Sequence, residues 1–415
     1  MTDSLPNRTA TPPEGAQRLL LAEDASLEAH LAAYGALPGR VDLVPMVRDA
    51  GLTGHGGAGF PAGAKLGGAA RRRGGVVVAN GAEGEPASAK DRALLQLAPH
   101  LVLDGLVLAA RTIRASAAYV ATESAETAAA LREQIALRER LSVRKDRFRI
   151  EVVEVKDRFV SGEESALVNA INGGPGLPQD RAVPIYERGV RKRPTLVHNV
   201  ETLAHMGLIA RFGSEWFRAR GTEDLPGTFL ATVSGDVAGP GVHEAEYGVP
   251  LLELVEATGG ALSGVQAVLV GGFHGAWIPG SGVRSTTMSR ASLARHGATV
   301  GAGVVLVLGE RRCGLRESAG IASYLADQSA GQCGPCVFGL PAVADALSRL
   351  ADPERRPGGD WRLIDEVVRL TTLVRGRGAC KHPDGTARFA MSTLNAFAHD
   401  IELHLGGTCC AAPAH

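Results

Sequence analysis

The sequence has no excess of charge of either sign, since its 415 residues include 44 Lys and Arg and 44 Asp and Glu. No overall electrostatic field therefore draws the protein to nucleic acid, and we predict no nucleic-acid partner. The two basic clusters, Arg71-Arg72-Arg73 and Arg191-Lys192-Arg193, are interpreted as solvated faces.

Long apolar runs and cysteines are also scarce. No run reaches the ~18 to 20 apolar residues that span a bilayer, so we predict no direct membrane insertion. Residues 1–30 lack the layout of a signal peptide, and we predict a flexible tail there and a cytoplasmic location. The six cysteines are too few for a disulfide scaffold and suggest metal or redox chemistry. They are Cys313, Cys333, Cys336, Cys380, Cys409 and Cys410.

Apolar residues make up 45% of the chain, which is enough for a large core. Strand-like and helix-like stretches alternate within residues 31–222 and predict an α/β domain around a mainly parallel sheet. Over 223–310, strand-like stretches at 228–237, 239–248, 265–273 and 298–310, separated by turns and one helix-like stretch, predict a small α+β module. Within residues 311–415, amphipathic patterns over 316–328, 341–352, 360–374 and 387–405 predict a bundle of four helices.

The stretch GLTGHGGAGFPAGAKL, residues 51–66, contains the spacing Gly54-x-Gly56-x-x-Gly59. A helical segment precedes it rather than a strand, so the spacing does not predict a Rossmann turn. Consecutive glycine N–H groups can still bind a phosphate, with Lys65 as a countercharge. A glycine-rich structural turn is the alternative interpretation.

Polar residues follow the predicted strand VVVAN, which ends at Asn80. Because open α/β sheets bind ligands at the carboxyl ends of their strands, Asn80, Glu83 and Glu85 are candidate ligand contacts. A solvent-facing loop whose charges pair with each other is the alternative.

Two predicted helix starts carry further candidates. Ser161 stands three residues before Glu164 and predicts a capping box, whereas Glu163 can face a ligand. Asn199 and Thr202 lie at the second start and can either cap the helix or contact a ligand.

A cysteine motif, GQCGPC, places Cys333 and Cys336 three residues apart, and Cys380 follows Cys336 by 44 positions. The first two thiolates can bind one face of a zinc ion or an iron-sulfur cluster, and neither site is complete with two. All three cysteines fall in loops of the predicted bundle, so one end of it can hold them.

In order, these stretches resemble the flavin-bearing, NADH-oxidising subunit of respiratory Complex I and its relatives in soluble hydrogenases and formate dehydrogenases. The resemblance covers about residues 36 to 400. Its motifs are GHGGAGFPAGAK, NGAEGEPASAKDR, GEESAL, RPTLVHNVET, SGDVAGPGV and GQCGPC. It implies FMN, a [4Fe-4S] cluster on Cys333, Cys336 and Cys380, and NAD(H) as a candidate substrate.

The resemblance also implies roles for individual residues. Phe60, Glu85 and Glu164 would lie on the NADH side, the two carboxylates as catalytic groups. The module over 223–310 is similar to the family's soluble-ligand-binding β-grasp fold (SLBB). The implied partner is a redox protein, either a ferredoxin-like or thioredoxin-like iron-sulfur subunit or a membrane reductase. The implied flavin contacts are Gly54, Gly56, Gly57, Lys65, Asn80, Glu83, Gly162, Glu163, Asn199 and Thr202.

Some positions depart from the family pattern. His55 replaces a loop arginine, and Ala82 replaces a carboxylate that lies against the flavin. On the adenine side, Leu66 stands where an aromatic is common, and Asp180-Arg181-Ala182-Val183-Pro184 replaces Lys-Pro-Pro-Phe-Pro. Losing two aromatic contacts is expected to weaken NADH binding roughly 5- to 150-fold.

The first cysteine of the family's cluster motif is replaced by Ala330, whose methyl group cannot bind iron. One alternative is a four-iron or three-iron cluster with an open iron or with Asp327 or His382 as ligand. Another is a remote thiol, Cys313 or the pair Cys409-Cys410, as the fourth ligand. The third is no cluster at all. Zinc at this site is disfavoured because it needs a fourth donor as well.

Two functions remain open. The first is an oxidoreductase that passes electrons from NAD(P)H through FMN to a [4Fe-4S]-type cluster and a protein partner. The second is a degenerate paralogue that does not oxidise NADH and acts as an electron-transfer, assembly or docking subunit of a redox complex.

Overall fold

The computed structural model describes residues 12, 15, 17–72, 74–141, 146–180, 183–353 and 361–411. The basic residue Arg73, the loop residues Arg181 and Ala182, and most of the first sixteen residues of the predicted tail lie outside the described residues. The described chain forms two β-sheets followed by a group of helices.

The first sheet has four strands, all parallel, in the order β3-β2-β1-β4. Its strands are β1 (Val76–Asn80), β2 (Ala117–Thr122), β3 (Ile150–Glu154) and β4 (Thr195–Asn199). Its helices are α1 (Leu27–Tyr34), α2 (Leu43–Asp49), α3 (Ala62–Ala70), α4 (Lys90–Leu97), α5 (Pro99–Thr112), α6 (Ala125–Leu141), α7 (Glu164–Ile171) and α8 (Val200–Arg218). The predicted α/β architecture with a parallel sheet is confirmed.

The core of this part lies where α5 and α8 cover one face of the sheet. Strand β1 is buried from Val76 to Ala79, and such a continuous apolar run is typical of a parallel strand covered on both faces. Gly105 lets the two helices approach closely, because a Cβ atom there would lie 1.8 Å from the carbonyl oxygen of Leu203. Any larger residue at this position would push α8, and the site residues at its start, away from the sheet.

The second sheet has five strands in the order β6-β5-β9-β7-β8 and mixes parallel and antiparallel pairs. Its strands are β5 (Thr228–Gly235), β6 (Gly241–Glu246), β7 (Val265–Val270), β8 (Ala276–Pro279) and β9 (Val304–Gly309). Its helices are α9 (Leu251–Glu256), α10 (Gly280–Val283) and α11 (Arg290–Ala294). The sequence patterns predict every one of these strands except β8, which is only four residues long.

The C-terminal part is helical, but its fourth predicted helix is wrong in its bounds. Helix α15 begins at His382, before the predicted start, and ends at Ala396. Phe397 separates it from α16, which begins at Ala398. Phe397 leaves the helical conformation because its ring is buried between Trp277, with centroids 5.4 Å apart, and Gly314. The helices are α12 (Gly314–Asp327), α13 (Leu340–Leu350), α14 (Arg362–Val374), α15 (His382–Ala396) and α16 (Ala398–Leu405), with a π-helical turn over Pro335–Gly339.

Within the described residues, no single helix has the length and apolar character needed to cross a membrane. Helices α4 and α5 meet the requirement only as a pair bent by 95°, and α5 is buried in the core of the first part.

Candidate functional site

Asn80 and Asn199 lie side by side at the carboxyl edge of the first sheet, in register at the ends of β1 and β4. The amide of Asn80 donates to the carbonyl of Gly162 at 2.8 Å, and the amide of Asn199 donates to Asp91 at 2.6 Å. Asn199 also accepts from the N–H of Glu201 and so caps α8. The structure therefore brings three predicted flavin contacts to one edge, and both asparagines have structural partners as well.

The glycine-rich loop lies above this edge. The N–H of His55 donates to Thr202 at 2.9 Å, which ties the loop to the start of α8. Gly57 and Gly59 have φ values of +94° and +61°, which favour glycine, and both are exposed. Within the described residues, the N–H groups of residues 56–59 have no protein acceptor. Such exposed, unpaired N–H groups suit an anionic or carbonyl-bearing ligand, so the loop fits a flavin or its phosphate.

The first of the two predicted helix starts, that of α7, holds two adjacent carboxylates with different partners. Glu164 forms an ion pair with Lys65, so these two predicted contacts lie together. Glu163 caps α7 by accepting from the N–H groups of Ser165 and Ala166. The predicted capping box is wrong, because Ser161 donates to the carbonyl of Lys156 instead.

Glu83 is turned toward α4. Its two carboxylate oxygens accept from the hydroxyl of Ser88 and from the N–H groups of Asp91 and Arg92, at 3.0 and 3.2 Å. A carboxylate at a helix N-terminus is stabilised by the helix dipole. Glu83 thus holds the strand-end loop in place, whichever of its atoms also meets a ligand.

Glu85 is held against the second sheet. Its carboxylate accepts from the N–H of Phe273 at 2.7 Å and from the N–H of Ala87 at 3.2 Å. Burial raises the pKa of Glu85 to about 7, although these two hydrogen bonds oppose the shift. A carboxyl group that titrates near neutral pH can exchange a proton during a reaction. Glu85 is therefore partly shielded from solvent, whereas Lys90 and Asp91 of the same stretch pair with each other, as the alternative interpretation expects.

A buried charge network, which the sequence patterns do not reveal, lies beneath the loop. The ammonium of Lys90 is 2.6 Å from Asp91 and 2.8 Å from Glu201, and all three side chains are at most 7% exposed. His55 and His205 adjoin Glu201, and their pKa values are lowered, chiefly by burial, so both imidazoles are neutral. The loop arginine of the family is thus replaced here by an uncharged ring.

A cavity of about 160 Å³ lies on the other side of the loop, between the loop and the second sheet. Gly54 and Gly57 are the only predicted flavin contacts that line it. Ligand pockets are usually about 300 to 1,000 Å³, so this cavity is small for a flavin. The exposed face of the loop, above the strand ends, is therefore the better candidate for the flavin site.

Cys333, Cys336 and Cys380 come together at one end of the helical part. Cys336 is buried and lies close enough to Cys333 and Cys380 for both to raise the pKa of its thiol, after the larger effect of burial. Cys336 lies within the π-helical turn, a feature that often marks functional sites. These three thiols suit an iron-sulfur cluster, and Ala330 supplies no fourth donor.

The structure also bears on the alternative fourth ligands. Both ring nitrogens of His382 are engaged, one with the carbonyl of Leu325 at 2.7 Å and the other with His274 at 3.0 Å. His382 is therefore a poor cluster ligand, whereas Asp327 is exposed at the end of α12. The remote thiols Cys313, Cys409 and Cys410 form a separate group with His404, and this grouping disfavours the alternative in which one of them is the fourth cluster ligand.

The cysteine site and the strand-edge site adjoin. Glu163 is near enough to Cys380 to raise the pKa of that thiol, as a contribution smaller than burial. Phe159 joins the two parts, because its ring packs 5.4 Å from His382 and its N–H donates to Gln328. The two candidate sites are therefore adjacent and joined by direct side-chain contacts.

Two family profiles match the chain. The Nuo51 FMN-binding domain matches residues 47–207, and the NADH-ubiquinone oxidoreductase-F iron-sulfur binding region matches residues 317–404. An NADH-quinone oxidoreductase subunit of Rhizobium meliloti is 30% identical over 378 residues, which cover 88% of this chain and 89% of that protein. The mitochondrial NADH dehydrogenase [ubiquinone] flavoprotein 1 of Dictyostelium discoideum is 30% identical, with 85% and 76% covered.

Among solved structures, an NAD+-reducing [NiFe]-hydrogenase in its H2-reduced state superimposes with a TM-score of 0.77 at 30% identity. The match covers 90% of this chain and 62% of the hydrogenase chain. The chain thus spans under two thirds of that protein's length.

Proposed function

The chain belongs to the family of NADH-quinone oxidoreductase flavoprotein subunits, and we propose that it is an FMN and iron-sulfur oxidoreductase that passes electrons from NAD(P)H to a protein partner. One observation carries the proposal. The cysteine site lies beside the strand-edge site, with Cys380 near Glu163. An electron acceptor next to a flavin site is the arrangement that such a transfer requires.

FMN, when bound, supplies the conversion of a two-electron hydride donor into single electrons. This chain's own residues would hold it at the edge of the first sheet. The exposed N–H groups of the glycine loop would bind its polar atoms, and Asn80 and Asn199 would fix its orientation from the strand ends. The remaining proposed flavin contacts are Gly54, Gly56, Gly57, Lys65, Glu83, Gly162, Glu163 and Thr202.

The nicotinamide would approach from the exposed side of the loop. Phe60 is 56% exposed there and can stack on a ring. Glu85 and Glu164 are the proposed carboxylates on this side, and the pKa of about 7 suits Glu85 for proton exchange. Leu66 is fully buried in the core and does not offer the stacking surface that an aromatic residue would.

The partner would dock over the cysteine site. Phe338 and Val337 are 76% and 44% exposed and directly follow the buried Cys336. Exposed apolar residues beside a redox centre are suited to a protein partner, because docking there shortens the transfer path and buries apolar surface. We expect this partner to be an iron-sulfur protein or a reductase. A cytoplasmic location stays a prediction, in keeping with six free cysteines.

The test is anaerobic titration of the full chain, reconstituted with FMN, iron and sulfide, with NADH and with NADPH. The proposal expects flavin absorbance to bleach on adding the nicotinamide. An Asn199→Ala variant should bind FMN more weakly, whereas Asn172→Ala, at the far end of α7, should not. Flavin that binds but does not bleach with either nicotinamide would refute NAD(P)H as the donor.

The second candidate is a docking or assembly protein that no longer oxidises NADH. One observation favours it: Ala330 supplies no ligand and the nearby His382 is engaged on both nitrogens. Protein isolated under anaerobic conditions with neither flavin nor iron would support this candidate. Steady NADH-dependent reduction of an artificial acceptor would exclude it.

A further inference from the structure

A second group of cysteines lies away from the proposed redox path. Cys313 directly precedes α12, and Cys409 and Cys410 follow α16 near the end of the chain. The fold brings them together with His404, which is buried on the last turn of α16. Residues almost a hundred positions apart therefore offer four donor atoms at one point: three sulfurs and one imidazole nitrogen.

The four donor atoms converge as they would on a single ion. Each lies within 4.8 Å of every other. The Nε2 atom of His404 is 3.4 Å from the sulfur of Cys313 and 4.0 Å from that of Cys410. With Zn–S near 2.3 Å and Zn–N near 2.05 Å, a tetrahedral site needs sulfur-to-nitrogen edges of about 3.6 Å and sulfur-to-sulfur edges of about 3.8 Å. The observed separations bracket the expected edge, so small side-chain rotations would suffice.

The spacing distinguishes this group from the cluster cysteines. Among the described residues, the 4.8 Å condition that the Cys313 group meets is not met by the sulfur atoms of Cys333, Cys336 and Cys380. Ligands of a four-iron cluster attach to different irons and must stand apart, whereas ligands of one ion must converge. The ligand atoms of the Cys313 group therefore converge as those of a single metal ion do, whereas the other three thiols do not converge in this way.

Zinc fits the donor set best. Three thiolates and one histidine form a common closed structural zinc site, and no position is left for water or substrate. Iron and copper use such soft ligands too, but a redox role needs a transfer path. Here Cys313 lies in the apolar core of the helical part, and Cys409 and Cys410 pack against that core.

The surroundings also suit a bound metal. The second ring nitrogen of His404, Nδ1, is buried beside the backbone of Leu350 and Ala351 and has no hydrogen bond of normal length. A metal-bound imidazole carries its proton on that nitrogen and usually directs it at a backbone carbonyl.

We propose that Cys313, His404, Cys409 and Cys410 form a structural zinc site that joins the two ends of the helical part. The site would fix the start of α12, which leads to the Cys333 loop, to the chain that follows α16. It is independent of the proposed NADH chemistry.

The direct test is metal analysis of the full chain purified after expression with zinc. We expect close to one zinc per chain in the unaltered protein and loss of that zinc in Cys313→Ser. Cys333→Ser is the matched control, since it removes one thiol from the other set, and it should keep its zinc and lose iron. Zinc lost equally from both variants, or absent from the unaltered protein, would overturn the proposal.

A second measurement uses the unaltered protein and so does not depend on whether Cys313→Ser folds. Cobalt(II) added to the zinc-depleted, reduced full chain should give the intense visible absorption of tetrahedral thiolate-bound cobalt, and zinc should bleach it. A cobalt spectrum without sulfur-to-metal charge transfer would refute the ligand set. So would mass spectrometry that finds a disulfide between Cys313 and Cys410, or between Cys409 and Cys410, in protein purified anaerobically. Neither result depends on flavin reduction, so this proposal and the proposed function can fail separately.

Discussion

Replacing Lys90 with methionine tests whether the buried charge network holds the strand-edge site in place. The lysine ammonium sits between Asp91 and Glu201, at 2.6 and 2.8 Å, and all three side chains are at most 7% exposed. Methionine keeps most of the side-chain volume but removes the charge, so two carboxylates stay buried without their cation. Breaking a buried ion pair from one side costs about 3 to 5 kcal/mol. We expect the free energy of unfolding to fall by that amount.

Affinity for FMN should fall as well, because Asp91 is the acceptor that orients the amide of Asn199. The pH dependence has a definite sign. Burial already raises the pKa of Asp91 in the unaltered protein, and in Lys90→Met it should rise to still higher values, because the ammonium that opposes the shift is gone. The variant's deficit should therefore be small at acidic pH and grow as pH rises through those raised values.

The assay is urea-induced unfolding followed by circular dichroism and by flavin release. Arg132→Met is the matched control, because Arg132 lies the same 2.8 Å from Glu154 but the two side chains are 50% and 44% exposed. An exposed pair contributes only about 0.2 to 1 kcal/mol. If Lys90→Met costs no more than Arg132→Met, the buried network does not stabilise the strand-edge site.

The raised pKa of Glu85 should make the unaltered protein lose up to about 3 kcal/mol of its free energy of unfolding as pH rises from about 4.5 through about 7. Glu85→Gln should remove this loss. Unfolding experiments at several pH values measure the slope of the free energy of unfolding against pH. An unchanged slope would contradict the burial of this carboxyl. Phe338→Ser should lower electron transfer to the partner protein several-fold but not to ferricyanide, and equal loss with both acceptors in steady-state kinetics would contradict docking there. Ala330→Cys should raise iron content toward four per chain and alter the low-temperature EPR spectrum of the reduced protein, whereas Ser329→Cys should not.

The elements that the sequence predicts well are those with strong periodicity. The apolar stretch over 76–80 predicts strand β1, and the one over 100–113 predicts helix α5. The structure has the same strand bounds and differs by one residue at each end of the helix. The break at Phe397 could not be predicted, because its cause is a contact with Trp277, which is 120 positions away. The capping box failed for a local reason: Glu163 reaches the first N–H groups of α7 before Ser161 can.

The residues of the candidate site likewise divide into those that the sequence predicts and those that only the fold reveals. Asn80, Asn199 and the cysteine motif stand at strand ends and in loops, where sequence position alone indicates chemistry. The Lys90 network is assembled from two helix starts that meet only in the fold, so a single sequence gives no sign that those charges are buried together. The group around His404 did leave a signal, since His404 precedes Cys409-Cys410 by five positions, but Cys313 can be assigned to it only from the fold.

The departures from the family pattern affect the two redox centres unequally. Near the flavin, replacement of the family's arginine by the neutral His55 removes a positive charge. Replacement of the family's carboxylate by Ala82 removes a negative charge. These changes offset each other, so the potential of the flavin should stay close to that of relatives. At the cluster, Ala330 removes a thiolate with no such compensation, and less negative charge around the irons raises the reduction potential. The driving force from flavin to cluster should therefore be larger in this protein.

Redox titration monitored by EPR tests this expectation. Ala330→Cys should lower the reduction potential of the cluster and leave that of the flavin unchanged. If the new thiolate does not change the cluster potential, position 330 is not next to the cluster.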